Sequence, residues 1–518
     1  METADLTELK ERAARGFAWS FAWRLLCEML QFGTGVVLAR LLMPGDFGLL
    51  AMVAAFAGVG MAFRSLGIAT ALLRPSELDD ELFSSAFWLN LLCGTSLAIC
   101  LFFSASPISR FYGEPMVRPL CRLAALNFAI SSVGICHAAV HTRRLDYRTL
   151  GSIQAAGRVL FACVSIPLAL RSWGAFSLVW GAIAENLLVL LLTAYLARQP
   201  VSFRLSWRRV LPLVQFGGWV VGGQLVKRVQ DNVTLAIVGR FAGKSPLAMF
   251  KKAFTTSTMP VRHLVWSVTD VLLPSMAKLA PGSAGIQEMQ IRSLRIVALL
   301  TFPACVGMAV VANPFIVGIY GEKWAEAVAF LRIFCGVTML FCIQHQLQSA
   351  LIAVGRANRL FWVLGFAAAC QWLGVALGYR LAGVQGLLAG VVVAKCAEFF
   401  LVSRLCLRET RTTVAAFLGA LAPPFALAVV MGAGVFASRR AWLGDMALLL
   451  DLAVSSSAGI CLYVLLLLTF RPAAVRDAAS VFRRRIEGHW LAQNAVLRRT
   501  LDYCCGPETG EGETGTEG

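Results

Sequence analysis

Along its whole length the chain alternates one pattern: some twenty apolar residues, then a short stretch rich in Arg, Lys, Pro or Gly. A helix needs about 20 mostly apolar residues to cross a bilayer, so cutting at these breaks predicts about fourteen spans. Their centres fall near Leu30, Ala55, Leu92, Phe128, Leu160, Leu187, Val226, Met259, Leu300, Met339, Phe366, Val391, Leu427 and Leu462. Charges interrupt the stretch from Trp219 to Leu273, and setting its two segments aside leaves about twelve spans by the same length rule.

A second, longer period lies over the first. Trp19 and Arg40 recur as Trp219 and Arg240, and Tyr112-Gly113-Glu114 recurs as Tyr320-Gly321-Glu322. Self-similarity at that distance in an apolar chain predicts two homologous halves around a shared cleft, the plan of many secondary transporters. The expected fold is therefore an all-α integral membrane protein of about fourteen transmembrane helices, in two pseudo-symmetric six-helix lobes plus two C-terminal helices. The expected divisions are a segment 1–16, an N-lobe 17–200, a C-lobe 201–405, two further spans within 406–470, a basic amphipathic tail 471–505 and a disordered Gly/Glu-rich end 506–518.

Composition agrees: 58% of the 518 residues are hydrophobic, 15% are charged, and the mean hydropathy is +0.71. Such a chain is too apolar for a soluble globule. With the N-terminus inside, the inner segments carry about 26 Lys and Arg and the outer ones about ten, so both termini are expected in the cytoplasm. The formal net charge of +18 then follows from topology and an anionic inner leaflet, without a nucleic-acid partner. The first apolar stretch is too long for a signal-peptide core and reads as an uncleaved span.

Chemistry of other kinds finds little support. The 15 cysteines contain no Cys-x-x-Cys pair, the five histidines have no ligand spacing, and no phosphate-binding Gly-rich Lys loop occurs, so no metal, cofactor or ATP motor is expected. No loop is long enough for a catalytic domain, and the chain is not expected to be an enzyme.

What remains is charge at membrane depth, which costs at least about 2.5–3.5 kcal/mol per residue and usually marks a wet cavity or a buried pair. Arg24, Glu28 and Gln31 share one face of the first span. Two hundred residues on stand Gln224, Arg228 and Asp231, with Lys227 beside them. Two symmetry-related polar stripes are what a central cavity between lobes would show; the alternative is an internal salt bridge on each helix, Arg24 with Glu28 and Arg228 or Lys227 with Asp231. Arg64, Arg122, Arg158, Lys251, Lys252, Arg262, Arg332 and Lys395 add cations, opposed chiefly by Glu185, Asp270 and Glu398. Excess positive charge points to an anionic substrate such as a phosphate or pyrophosphate held by Arg forks and Lys ammoniums. Arg64, Lys251 and Lys252 have the alternative of snorkelling from helix ends. Of these cations, the cavity set is Arg24, Arg64, Arg158, Lys227, Arg228, Lys251, Lys252 and Arg262, with Glu28, Gln31, Gln224 and Asp231.

The segment Val36 to Val53 (VVLARLLMPGDFGLLAMV), together with Leu66 to Glu81 and Phe87 to Asn90, resembles the first blocks of Wzx-type polysaccharide exporters of the multidrug/oligosaccharidyl-lipid/polysaccharide superfamily. Phe216 to Gly243, Leu272 to Leu279 and Tyr320 to Ile333 are similar to its second-half blocks, so the likeness runs over roughly Arg12 to Phe470. The resemblance implies a V-shaped pair of lobes working by alternating access as a single chain. Its implied cargo is an isoprenoid-pyrophosphate-linked oligosaccharide, flipped to the outer leaflet of the bacterial inner membrane for exopolysaccharide, capsule or O-antigen assembly. Its implied partners are membrane lipids, a polysaccharide polymerase and glycosyltransferases. Asp231 falls where the family often has an Asp. The chain departs from the pattern at Ala248-Met249-Phe250-Lys251-Lys252, where relatives commonly carry Gly-x-Tyr. A drug or cation antiporter of the same superfamily, a lipid II flippase and a non-transport scaffold are the rival readings.

Overall fold

The computed structural model describes residues 2–64, 80–144, 146–203, 206, 226–276, 283–443 and 447–477. Among these there is helix and no strand. The first six long helices are α1 (Glu2–Leu41), α2 (Pro44–Arg64), α3 (Asp80–Tyr112), α4 (Val117–Arg143), α5 (Tyr147–Leu170) and α6 (Ala175–Ala197). Then come α7 (residues 226–242), α8 (Lys244–Met276), α9 (Ala284–Val310) and α10 (Ala327–Ala353). The helix Ala357–Thr410 is broken by Ala382 and by Gly383 at φ 58°, ψ −137°, giving α11 (357–381) and α12 (384–410). The last two are α13 (Val414–Ser438) and α14 (Leu448–Phe470).

Ten described helices, the broken one counted once, are long and apolar enough to cross a membrane. The charged α1, α7 and α8 complete fourteen among the described residues, and every expected span centre lies on one of them. The two segments that charges obscured are helical over the described residues 226–242 and 244–273, so the count of twelve falls away. The protein is an all-α, multi-pass membrane protein.

The sequence repeat is also a repeat of backbone geometry. Helix α1 ends at Leu41 and α2 starts at Pro44; α7 ends at residue 242 and α8 starts at Lys244. Gly174, before α6, has φ 52° and ψ −133°, nearly the angles of Gly383 before α12. The two helices end alike, on left-handed Arg198 and Arg411. Tyr112 donates to the Met52 carbonyl at 3.3 Å and meets Phe56 edge-on, while Tyr320 meets residues 252 and 256, the counterparts of 52 and 56.

Contacts divide the chain into two units, Met1–Lys251 with Ala368–Gly390, and Lys252–Ala367 with Val391–Gly518. In the first, α4 packs on α3 and α6, and α5 on α1 and α6. Phe83, Ala86, Leu89, Cys136, Ala139 and Val140 form a core there. Lipid is as apolar as a leucine side chain, so association within the bilayer depends on close packing of small residues. The turn between α11 and α12 shows this: Gly374 and Gly378 lie against Gly390 and Gly386 so closely that a methyl on Gly378, Gly386 or Gly390 would strike the opposing carbonyl. In the second unit α9 packs on α10 and α13, and α13 on α14. Tyr463 ties α14 to α9 by donating to the Leu299 carbonyl at 2.9 Å, and Arg439 forks onto Asp451 at 3.0 and 2.8 Å. The amphipathic tail beyond residue 477 and the acidic end lie outside the described residues.

Candidate functional site

The two polar stripes lie on helices whose depth can be read from their ends. At 1.5 Å per residue, Arg24 and Gln31 stand about 25 and 15 Å from Leu41, and Arg228 and Asp231 about 21 and 17 Å from residue 242. Those heights fall within a hydrocarbon core of about 30 Å. Arg24, Gln31, Arg228 and Asp231 are all exposed, and Glu28 is half-buried. An exposed guanidinium at that depth is tolerable only beside water or a polar ligand, since lipid offers it no partner.

The face of α7 away from Arg228 explains why the stripe is held outward. Gln230 and Thr234 are buried, and they join α11: Gln230 donates to Gln371 at 2.8 Å, Gln371 donates to Thr234 at 2.9 Å, and the Trp372 indole donates to the Gln230 carbonyl at 3.3 Å. This amide network fixes the rotation of α7 about its axis. Lys227 pairs with Asp231 at 3.2 Å, as one of the two sequence alternatives anticipated, and Arg228 stays exposed beside that pair.

Behind the α1 stripe is a second charged group. Arg158 on α5 pairs with Glu185 on α6 at 3.0 Å, and both lie within electrostatic reach of Cys27, the neighbour of Glu28 on α1. Next to Glu185, Asn186 donates to Asn127 at 2.9 Å. Arg158 therefore joins the α1 stripe with much of its charge balanced. Sequence reading named Arg158 and Glu185 without pairing them. The signal was there: two opposite charges on consecutive spans, each too costly to leave alone.

In the second unit the cations are engaged differently. The Lys252 ammonium lies 3.8 Å from the Tyr320 ring centre and 5.6 Å from that of Trp324. Arg262 is half-buried, as is Lys251 at the end of the first unit's main stretch. Lys395 and Gln344 both donate to buried Glu398, at 2.7 and 2.6 Å. Gln344, Gln371 and Asn127 were missed; the only hint was an isolated amide in an apolar span, which needs a partner as much as a charge does. Gln224 lies outside the described residues, as do the side chains of Arg64 and Asp270. Among the described residues no cluster of three His, Cys, Asp or Glu could hold a metal.

The described residues thus present one exposed Arg on each stripe, Arg24 on α1 and Arg228 on α7, each helix backed by its own amide or ion-pair network. Exposed guanidiniums of this kind can bind an anion.

Comparison with known proteins places the chain among polysaccharide-assembly proteins. The model of the family described as "polysaccharide biosynthesis protein" matches residues 37–329. The lipopolysaccharide biosynthesis protein WzxC of Escherichia coli (strain K12) is 23% identical over 390 residues, covering 75% of this chain and 79% of its own. The teichuronic acid biosynthesis protein TuaB of Bacillus subtilis (strain 168) is 26% identical over 425 residues, covering 79% and 85%. Among solved structures, the lipid II flippase MurJ in an inward closed conformation superposes with a TM-score of 0.68 at 13% identity, over 90% of this chain and 99% of its own. At that identity the likeness establishes the fold alone.

Proposed function

The chain belongs to the polysaccharide biosynthesis protein family, and from that premise we propose that it is a flippase for an isoprenoid-pyrophosphate-linked oligosaccharide. It carries the headgroup from the inner to the outer leaflet of the bacterial inner membrane, with both of its own termini in the cytoplasm. The observation that carries this reading is the exposure of Arg24 and Arg228 at membrane depth. A pyrophosphate bears the charge those guanidiniums need, in the geometry their forks favour, and a cargo tethered to a lipid reaches them without leaving the bilayer.

The headgroup rests on Arg24, Gln31 and Arg228, while the isoprenoid stays in the hydrocarbon. Lys227 and Arg158 set the field rather than bind, because Asp231 and Glu185 already hold them. A cation antiporter fits less well: of the two stripe carboxylates such an exchanger would use, Asp231 is engaged by Lys227.

The test is leaflet-resolved analysis of lipid-linked oligosaccharides after depletion of the protein in its own cells. The proposal expects accumulation on the cytoplasmic leaflet, reversed by the wild type and not by Arg228→Ala at equal abundance. An unchanged distribution would overturn it in favour of an antiporter or a scaffold. Accumulation of lipid II alone would move the cargo to peptidoglycan precursors.

A further inference from the structure

The second unit holds a cavity of about 410 Å³ in which none of the proposed headgroup contacts lies. It sits where α9 and α13 begin and α14 has ended, so it lies at one membrane face. Gln287, Glu288, Arg292, Arg295, Thr413 and Asp477 line it. Arg295 Nη1 is 3.3 Å from Asp477 Oδ2 and Arg292 Nε is 3.9 Å from Oδ1, while Arg292 Nη2 donates to the Asp477 carbonyl at 3.3 Å. Charge-assisted hydrogen bonds between such groups normally close to about 2.7–2.9 Å. Among the described residues the Asp477 carboxylate therefore meets both guanidinium forks at longer distances than these, each fork carrying five N–H donors.

The surroundings say what else those forks suit. On α13, next to Thr413, Val414 and Leu418 are 61% and 57% exposed, apolar surface of the kind a membrane protein leaves against acyl chains. Gln287 and Glu288 offer acceptors to hydroxyl groups in the same cavity. Two arginines for a phosphate, acceptors for a hydroxylated headgroup and an apolar border at a span end together describe an anionic glycerophospholipid.

We propose that this cavity binds the headgroup phosphate of an anionic phospholipid through Arg292 and Arg295, in competition with the carboxylate of Asp477. Lipid occupancy then releases Asp477 from α9, while Ala474 and Val475 stay packed in the core with Leu299, and an empty cavity keeps Asp477 pinned. The membrane's anionic lipid content is thereby read at a site separate from the transported headgroup.

The experiment is native mass spectrometry of the full chain titrated with phosphatidylglycerol, phosphatidylcholine or inorganic phosphate, comparing wild type, Arg292→Gln/Arg295→Gln and Asp477→Asn. Losing two charged hydrogen-bond donors should weaken phosphatidylglycerol binding about tenfold or more. Asp477→Asn should strengthen it several-fold, by about half to one such tenfold step; a misfolded chain cannot mimic that gain. Phosphatidylcholine should bind weakly to all three. Equal phosphatidylglycerol affinity in the three proteins overturns the proposal. Arginine-dependent binding of inorganic phosphate, with phosphatidylglycerol binding unchanged by the substitutions, overturns the lipid assignment in favour of a free anion.

Discussion

The ammonium of Lys252 lies 3.8 Å from the ring centre of Tyr320, and Tyr320 is the counterpart of Tyr112 in the internal repeat. In the first half Tyr112 meets the carbonyl of Met52 and the ring of Phe56. In the second half the same two positions hold Lys252 and Thr256, and the Thr256 and Tyr320 hydroxyls approach to 3.5 Å. One packing motif has thus been kept while its partners changed from a backbone carbonyl and an aromatic ring to an ammonium and a hydroxyl. The lysine is part of what anchors α8 to the chain after α9.

Lys252 and Tyr320 should therefore separate stability from transport. Tyr320 is 3% exposed, and Tyr320→Ala should cost about 3–5 kcal/mol, as large-to-small changes of buried aromatics do. Lys252→Met should cost less, about 1–2 kcal/mol for the lost cation–π contact, and should leave polymer output near normal. Thermal unfolding in detergent reads the first, polymer yield at equal abundance the second. A Lys252→Met protein that melts normally yet exports nothing would return Lys252 to the transport path.

The turn glycines offer a symmetric test. Gly174 and Gly383 share φ near 55° and ψ near −135°, a conformation that residues with a Cβ pay about 1–3 kcal/mol to adopt. Gly383→Ala should show that strain alone, since open space surrounds its missing Cβ. Gly174→Ala should cost more, because its Cβ would meet Asp46 Oδ1 at 2.7 Å, the oxygen that accepts from the Ala175 amide at 3.1 Å. Equal melting temperatures for the two variants would refute this ranking.

Glu398 poses the buried-charge problem in its sharpest form. It is 1% exposed and accepts from both Lys395 and Gln344. Removing one partner of a buried pair typically costs about 3–5 kcal/mol, whereas replacing both with apolar residues is often neutral. Glu398→Leu should sharply lower folded yield, and Lys395→Met/Glu398→Leu should recover most of it, as fluorescence-detected size exclusion would show. If the double variant transports at the wild-type rate, the pair is structural.

Much of this was written in the sequence because hydropathy is local. Span centres such as Leu30 and Leu462 needed only a window of about 20 residues, and the repeat of Trp19 and Arg40 at Trp219 and Arg240 needed only comparison at a distance. Partners were less legible. Lys252 and Tyr320 are distant in the chain, as are Gln230 and Gln371, and a span pattern does not say which face of one helix meets which face of another. Hence Lys252 reads from sequence as a cavity cation or a snorkelling helix end, and in the structure it lies against the Tyr320 and Trp324 rings. Arg228 reads from sequence as a stripe cation or a partner of Asp231, and it is exposed beside the Lys227–Asp231 pair. The amides that fix α7, Gln230 and Gln371, carry no charge to draw attention.

Within the α7 stripe the structure ranks three neighbours. Lys227 is bound to Asp231 at 3.2 Å, while Arg228 is exposed beside them. A hydrogen bond to a charged group contributes about 1.5–3 kcal/mol, so Arg228→Ala should lower polymer output roughly tenfold or more at normal abundance. Lys227→Ala should do less, because it removes a charge already balanced. Asp231→Asn separates two roles for the carboxylate. If Asp231 only restrains Lys227, the substitution frees a cation, and lipid-linked oligosaccharide should bind the purified protein more tightly, with output maintained. If Asp231 carries a coupling ion, binding still tightens, but output stops and oligosaccharide collects on the cytoplasmic leaflet. Binding and leaflet distribution measured on one variant therefore distinguish a carboxylate that tunes the site from one that drives it.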